Sequence, residues 1–130
     1  MKKQNILLVE DYHPNILVVT LFLQELGYAY DVAGSGKEAL DKFSHTDYDA
    51  VIMDVQMPDM DGIETVRRMR ALEKEKSWTP TPVIAVTGNA MGEDRASCLK
   101  AGMNDYLSKP FRLKDLEDKL QSYISDCEAS

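Results

Sequence analysis

Cysteine, histidine, basic residues and long apolar runs are all scarce in this chain. The two cysteines, Cys98 and Cys127, form neither a C-x-x-C pair nor a ligand cluster with His13 and His45, which argues against a zinc site, a redox motif or a disulfide framework. Two unpaired thiols are expected, Cys98 packing on a helix and Cys127 lying in the tail. The longest mostly apolar stretch, Ile16 to Leu23, is interrupted by Thr20 and falls far short of the roughly 20 residues that span a bilayer. Lys2 and Lys3 open the chain, but Glu10 arrives too soon for a signal-peptide core, so a cytoplasmic location is expected. Acids outnumber bases by 22 to 15, and the net charge of −7 repels nucleic acid and anionic membrane alike. Neither is expected as a direct partner. Internal repeats and low-complexity segments are absent.

What is present is an ordinary globular composition, 44% hydrophobic and 28% charged over 130 residues, enough for one compact domain. Strand-length apolar runs and helical periodicities alternate along it, the pattern of five β-α units around a parallel sheet. The first strand, Asn5 to Glu10, contains an unalternating Ile6-Leu7-Leu8-Val9 run, as expected of a strand covered on both faces. A helix follows from about Pro14 to Leu26, with Gly27 placed to end it. Tyr30 to Ala33 and Gly36 to Phe43 form the second unit, the weakest in pattern. The third strand, Ala50 to Asp54, leads through a Pro-Gly-bearing turn, Met57 to Gly62, into a helix carrying Ile63, Val66, Met69 and Leu72. Its charged end, Glu73 to Lys76, reads as solvated. Thr79-Pro80-Thr81-Pro82 is an extended connector to the fourth strand, Val83 to Val86, ending at Thr87. A fourth helix is expected over Gly92 to Ala101, stopped by Gly102. A short strand, Asp105 to Ser108, and a last helix striped with Leu113, Leu116, Leu120, Tyr123 and Ile124 complete the domain. Ser125 to Ser130 form a short tail, too little for an effector domain.

In open parallel α/β sheets, ligands bind beyond the carboxyl ends of the strands, where the strand order reverses. That rule collects Glu10 and Asp11 after the first strand, Asp54 after the third, Thr87 after the fourth and Lys109 after the fifth. A polar strand end is unremarkable singly, but three carboxylates brought together repel and call for a cation. An all-oxygen set suits Mg²⁺, or Mn²⁺, rather than zinc. A carboxylate beside such an ion, a lysine and a hydroxyl is also equipped for phosphoryl transfer to Asp.

Val9-Glu10-Asp11, Met53-Asp54 through Gly62, Val86-Thr87-Gly88-Asn89-Ala90 and Tyr106-Leu107-Ser108-Lys109-Pro110 closely resemble the signature segments of response-regulator receiver domains, in the right order from about Asn5 to Ile124. The resemblance implies a doubly wound (βα)5, flavodoxin-like fold: a five-stranded parallel sheet of order 2-1-3-4-5 with helices on both faces. It makes Asp54 the phosphoacceptor, Asp11 a direct Mg²⁺ ligand, Glu10 a ligand through water and the Gln56 carbonyl a further ligand. Thr87 and Lys109 would hold the phosphoryl oxygens, with Gly88 leaving room and Gln56 and Asn89 tuning hydrolysis. Thr87 and Tyr106 would be the switch pair, changing the face made by the fourth helix, fifth strand and fifth helix.

The segments Thr81 to Thr87 and Cys98 to Tyr106 are most similar to receivers of hybrid sensor histidine kinases. That implies a phosphorelay module partnered by the kinase dimerisation helices or a histidine phosphotransfer domain. It would be a monomer or a weak phosphorylation-dependent dimer, assisting its own chemistry without being a turnover enzyme. A stand-alone response regulator is the near alternative. A Mg²⁺-dependent phosphatase with an aspartate nucleophile would need D-x-D-x-[TV] after the first strand, where this chain has Glu10-Asp11-Tyr12-His13-Pro14. A flavin carrier of this fold would need a Ser/Thr/Gly-rich loop there. A degenerate receiver acting only in binding is separated from an active one by Asp54 phosphorylation.

Overall fold

A computed structural model describes residues 4–54, 62–87, 99–108 and 111–124. Five parallel strands form one sheet in the order β2-β1-β3-β4-β5. They are β1 (Asn5–Val9), β2 (Ala29–Ala33), β3 (Ala50–Asp54), β4 (Val83–Thr87) and β5 (Asp105–Ser108). The helices α1 (His13–Leu26), α2 (Gly36–His45) and α3 (Gly62–Lys76) alternate with the strands, and a C-terminal helix covers Leu113–Ile124. The expected topology and strand order are those observed. Of the fourth expected helix, Leu99, Lys100 and Ala101 are helical and the rest lies outside the described residues, as do Cys98, Cys127, the turn at 57–61 and the tail 125–130.

The unalternating apolar run of β1 is explained by the two cores it serves. Leu7 and Val9 join Val51, Met53, Val66 and Met69 on the side of α2 and α3. Ile6 and Leu8 join Ile52, Leu23, Leu116 and Leu120 on the side of α1 and the C-terminal helix. All twelve side chains are fully buried, and each stabilises the fold by about 1.5–3 kcal/mol relative to exposure. The weak pattern of the second unit has an equally simple cause, since β2 is an edge strand paired only with β1 and mostly half-buried. Tyr48 ties that edge down, its hydroxyl donating to Asp31 Oδ2 over 2.7 Å. Burial, reinforced by the Asp31 carboxylate, pushes the Tyr48 phenol far above its ordinary range. The expected stop at Gly27 is a left-handed cap at φ 88°, a backbone region glycine enters without a Cβ clash.

The end of α3 corrects the reading of Glu73 as solvated, while Lys74, Glu75 and Lys76 are exposed as expected. Glu73 is buried, accepting from Arg70 Nη1 at 2.9 Å and from the Thr81 backbone N–H at 2.8 Å. Arg70 also donates to the carbonyls of Thr81 and Gly102 and to Asn104 Oδ1. One guanidinium thus clamps α3 to the approaches of both β4 and β5. Its side chain packs so closely on Gly102, at φ +111°, that a Cβ there would meet Arg70 Cγ at 3.0 Å.

Candidate functional site

The strand order reverses between β1 and β3, where Val9 lies opposite Met53, so the next residues on each strand sit at the same rim of the sheet. There Glu10 follows β1 and Asp54 ends β3, both inside the domain at 2% and 4% exposure. The Glu10 N–H continues the sheet by donating to the Ala33 carbonyl at 2.9 Å. Its carboxylate accepts from the Tyr12 N–H at 3.2 Å, which bends the chain between β1 and α1 and carries Asp11 over the rim. Asp11 is exposed, yet Glu10, Asp11 and Asp54 each offer a carboxylate oxygen within 4.8 Å of the others. This is the acidic part of the convergence expected from the sequence, and it joins the ends of two strands separated by more than forty residues.

Three acids this close are held by the fold rather than by mutual attraction, because like charges repel most where water is excluded. A hard divalent cation accepts an oxygen-only donor set and neutralises it, whereas zinc would call for nitrogen or sulfur. The donor chemistry of Glu10, Asp11 and Asp54 therefore fits Mg²⁺ or Mn²⁺. Beside Glu10 and Asp54 opens a cavity of about 330 Å³ walled by Leu8, Val18, Val19, Ile52, Val86 and Phe111, with Asn15 at its margin. Phe111 is braced by Phe22 of α1 in an edge-to-face contact at 6.2 Å.

The remaining expected site residues divide by what is described. Thr87 is the last residue of β4 and pairs in register with Ser108, the residue before Lys109, which puts the end of β4 and the end of β5 on the same rim as Asp54. The Thr87 side chain, Gln56, Gly88, Asn89 and Lys109 lie outside the described residues. Tyr106 is half-buried on β5, packed against the core on the α2–α3 side, with Lys119 Nζ 5.7 Å from its ring centre. His13 is the exposed first residue of α1 and takes no part in the acidic cluster.

One surface escaped the sequence reading. Tyr12, Leu17, Val18 and Leu21 are exposed around α1, and Val18 also lines the cavity that holds Glu10 and Asp54. The signal was the Ile16–Leu23 run itself, which holds more apolar residues than one buried helix face can use. No helix among the described residues is long and apolar enough to cross a membrane.

Residues 6–121 match the family model of the response regulator receiver domain. Hybrid signal transduction histidine kinase L of Dictyostelium discoideum is 38% identical over 91% of this chain, which spans only 7% of that kinase. The receiver domain of the sensor histidine kinase PA1611 from Pseudomonas aeruginosa, solved with magnesium in its active-site cleft, is 41% identical with a TM-score of 0.87, covering 95% of this chain and 99% of that one. The Saccharomyces cerevisiae receiver domain of Ssk1, solved with the histidine phosphotransfer protein Ypd1, superposes with a TM-score of 0.89 at 30% identity, over 95% of this chain and 90% of that one. With the sheet order, the acidic rim at its switch point and these relatives in agreement, the chain belongs to the response regulator receiver domains of two-component phosphorelays.

Proposed function

We propose that Asp54 accepts a phosphoryl group from a phosphohistidine, and that this chain is the receiver module of a hybrid histidine kinase working in the cytoplasm, its unit running from about residue 5 to 124 with 125–130 as a tail. The observation that carries the reading is the placement of Asp54: a buried carboxylate at the end of a central strand, within 4.8 Å of two further acids. A carboxylate oxygen of Asp54 attacks phosphorus as the P–N bond to the imidazole breaks, and the released imidazole takes up a proton. Charge neutralisation and alignment supply most of the acceleration in such a transfer.

Asp11, Asp54, the Gln56 carbonyl and, through water, Glu10 would hold Mg²⁺, which supplies neutralisation of charge on the transferring group. Lys109 would pair with a phosphoryl oxygen and the Thr87 hydroxyl would donate a hydrogen bond to another. Gly88 would leave space at the acceptor, and Gln56 and Asn89 would tune hydrolysis. Thr87 and Tyr106 then respond to the dianion, altering the face of the fourth helix, β5 and the C-terminal helix. The exposed apolar residues Tyr12, Leu17, Val18 and Leu21 around α1 suit docking of the helix that bears the phosphohistidine, in a phosphotransfer domain or in kinase dimerisation helices. Incubation with acetyl phosphate and Mg²⁺, followed by borohydride reduction of the acyl phosphate and peptide mapping, tests the assignment. Modification at Asp54 is expected, and modification at another carboxylate overturns it.

A further inference from the structure

The side chain of Lys119, on the C-terminal helix, stands between two groups of β5. Its ammonium lies 2.9 Å from Asp105 Oδ1 and 5.7 Å from the centre of the Tyr106 ring, within range of a cation–π attraction. Asp105 is itself tightly fixed. Its Oδ1 also accepts from the Tyr106 N–H at 2.8 Å, and its Oδ2 lies 3.1 Å from the Tyr123 hydroxyl. The pair is partly shielded, with the Lys119 side chain 32% and the Asp105 side chain 23% exposed. Burial pushes the Asp105 carboxyl up, but the Lys119 hydrogen bond, the Tyr106 N–H, the Lys119 charge and the Tyr123 hydroxyl together hold it below its usual range. The ammonium is therefore anchored on one side by a persistent carboxylate and faces the aromatic ring on the other.

We propose that Lys119 is a positioning residue that latches Tyr106 in its present half-buried place and so opposes the phosphorylated state of the receiver. The inference rests on Tyr106 being the switch residue of the proposed function. An ammonium moored by Asp105 cannot follow the ring elsewhere, so any displacement of Tyr106 gives up the attraction. A contact made in one of two states and lost in the other shifts the balance by its full differential worth. The latch also connects the switch to the C-terminal helix, so a partner that engages Lys119 on that face would release Tyr106.

The test uses the unphosphorylated chain first, with NMR signals of ring-labelled tyrosine assigned through Tyr106→Phe. Lys119→Met keeps the apolar stem and removes the charge, Lys119→Arg keeps the charge, and Asp105→Asn loosens the mooring. The Tyr106 ring signals should move in Lys119→Met, move less in Asp105→Asn and stay near the original in Lys119→Arg. Acetyl phosphate labelling should quicken about two- to five-fold in Lys119→Met, the scale of one exposed cation–π contact. Tyr106 signals unmoved in Lys119→Met, while phosphorylation of the unaltered chain does move them, would overturn the latch alone. Signals unmoved by phosphorylation of the unaltered chain would overturn Tyr106 as the switch and the latch with it.

Discussion

Replacing Asp11 with Asn separates the electrostatic cost of the acidic rim from its benefit. Glu10 and Asp54 each present an oxygen within 4.8 Å of Asp11. At that distance two unit charges repel by about 0.9 kcal/mol in a water-like dielectric and about 3.5 kcal/mol at an effective dielectric of about 20. Asp11 is exposed, so the lower figure applies; two neighbours give about 1.7 kcal/mol, trimmed to about 1 kcal/mol by screening at physiological salt. Asp11→Asn should therefore stabilise the metal-free chain by about 1 kcal/mol in urea denaturation with chelator present. Mg²⁺ at a hundredfold its dissociation constant should stabilise the unaltered chain by about 2.7 kcal/mol. The variant, short of one proposed ligand, should gain much less, so the stability order of the two chains should reverse between chelator and saturating Mg²⁺. An Asp11→Asn chain no more stable than the original in chelator, or equally responsive to Mg²⁺, would refute the reasoning.

Glu73→Ala leaves the Thr81 N–H without its carboxylate acceptor and deprives Arg70 of its counter-charge, so denaturation should show a loss of about 3 kcal/mol, the scale of a broken buried pair. Leu17→Ala combined with Leu21→Ala removes exposed apolar groups from α1 and should leave stability within about 0.5 kcal/mol. The same double change should slow phosphotransfer from a phosphohistidine protein at least tenfold while leaving labelling by acetyl phosphate unchanged. The Asp105 carboxyl, held below its usual range in the folded chain, contributes stability that is complete above its unfolded pKa of about 3.9 and is lost as pH falls through its lower folded value. Lys119→Met should accordingly cost stability at neutral pH and lessen the dependence on pH in the acid limb, as read by denaturation from pH 7 down to about pH 2.

The fold was legible because each signal in the sequence had one physical cause. The unbroken Ile6-Leu7-Leu8-Val9 run needs two cores, and the strand receives one on each face. The Glu10–Asp11 and Asp54 convergence was legible because topology alone decides which strand ends meet at a switch point. Glu73 was misread because Glu73-Lys74-Glu75-Lys76 has the composition of a solvated helix end. Its burial depends on Arg70 one turn earlier and on the Thr81 N–H and Gly102 carbonyl brought in from distant segments. Such a clamp has no local pattern, and its only trace is a glycine at position 102 that must admit the arginine stem. The Lys119–Asp105 pair was hidden for the same reason, since fourteen residues separate two groups that only the packing of the C-terminal helix on β5 brings together.

The central claim is that Asp54 is a metal-assisted phosphoacceptor, and the intact mass after brief incubation with acetyl phosphate, with and without Mg²⁺, tests it most directly. The account predicts a single phosphoryl adduct that requires Mg²⁺ and is absent from Asp54→Asn. An adduct that persists in Asp54→Asn, or that forms equally well in chelator, would contradict it.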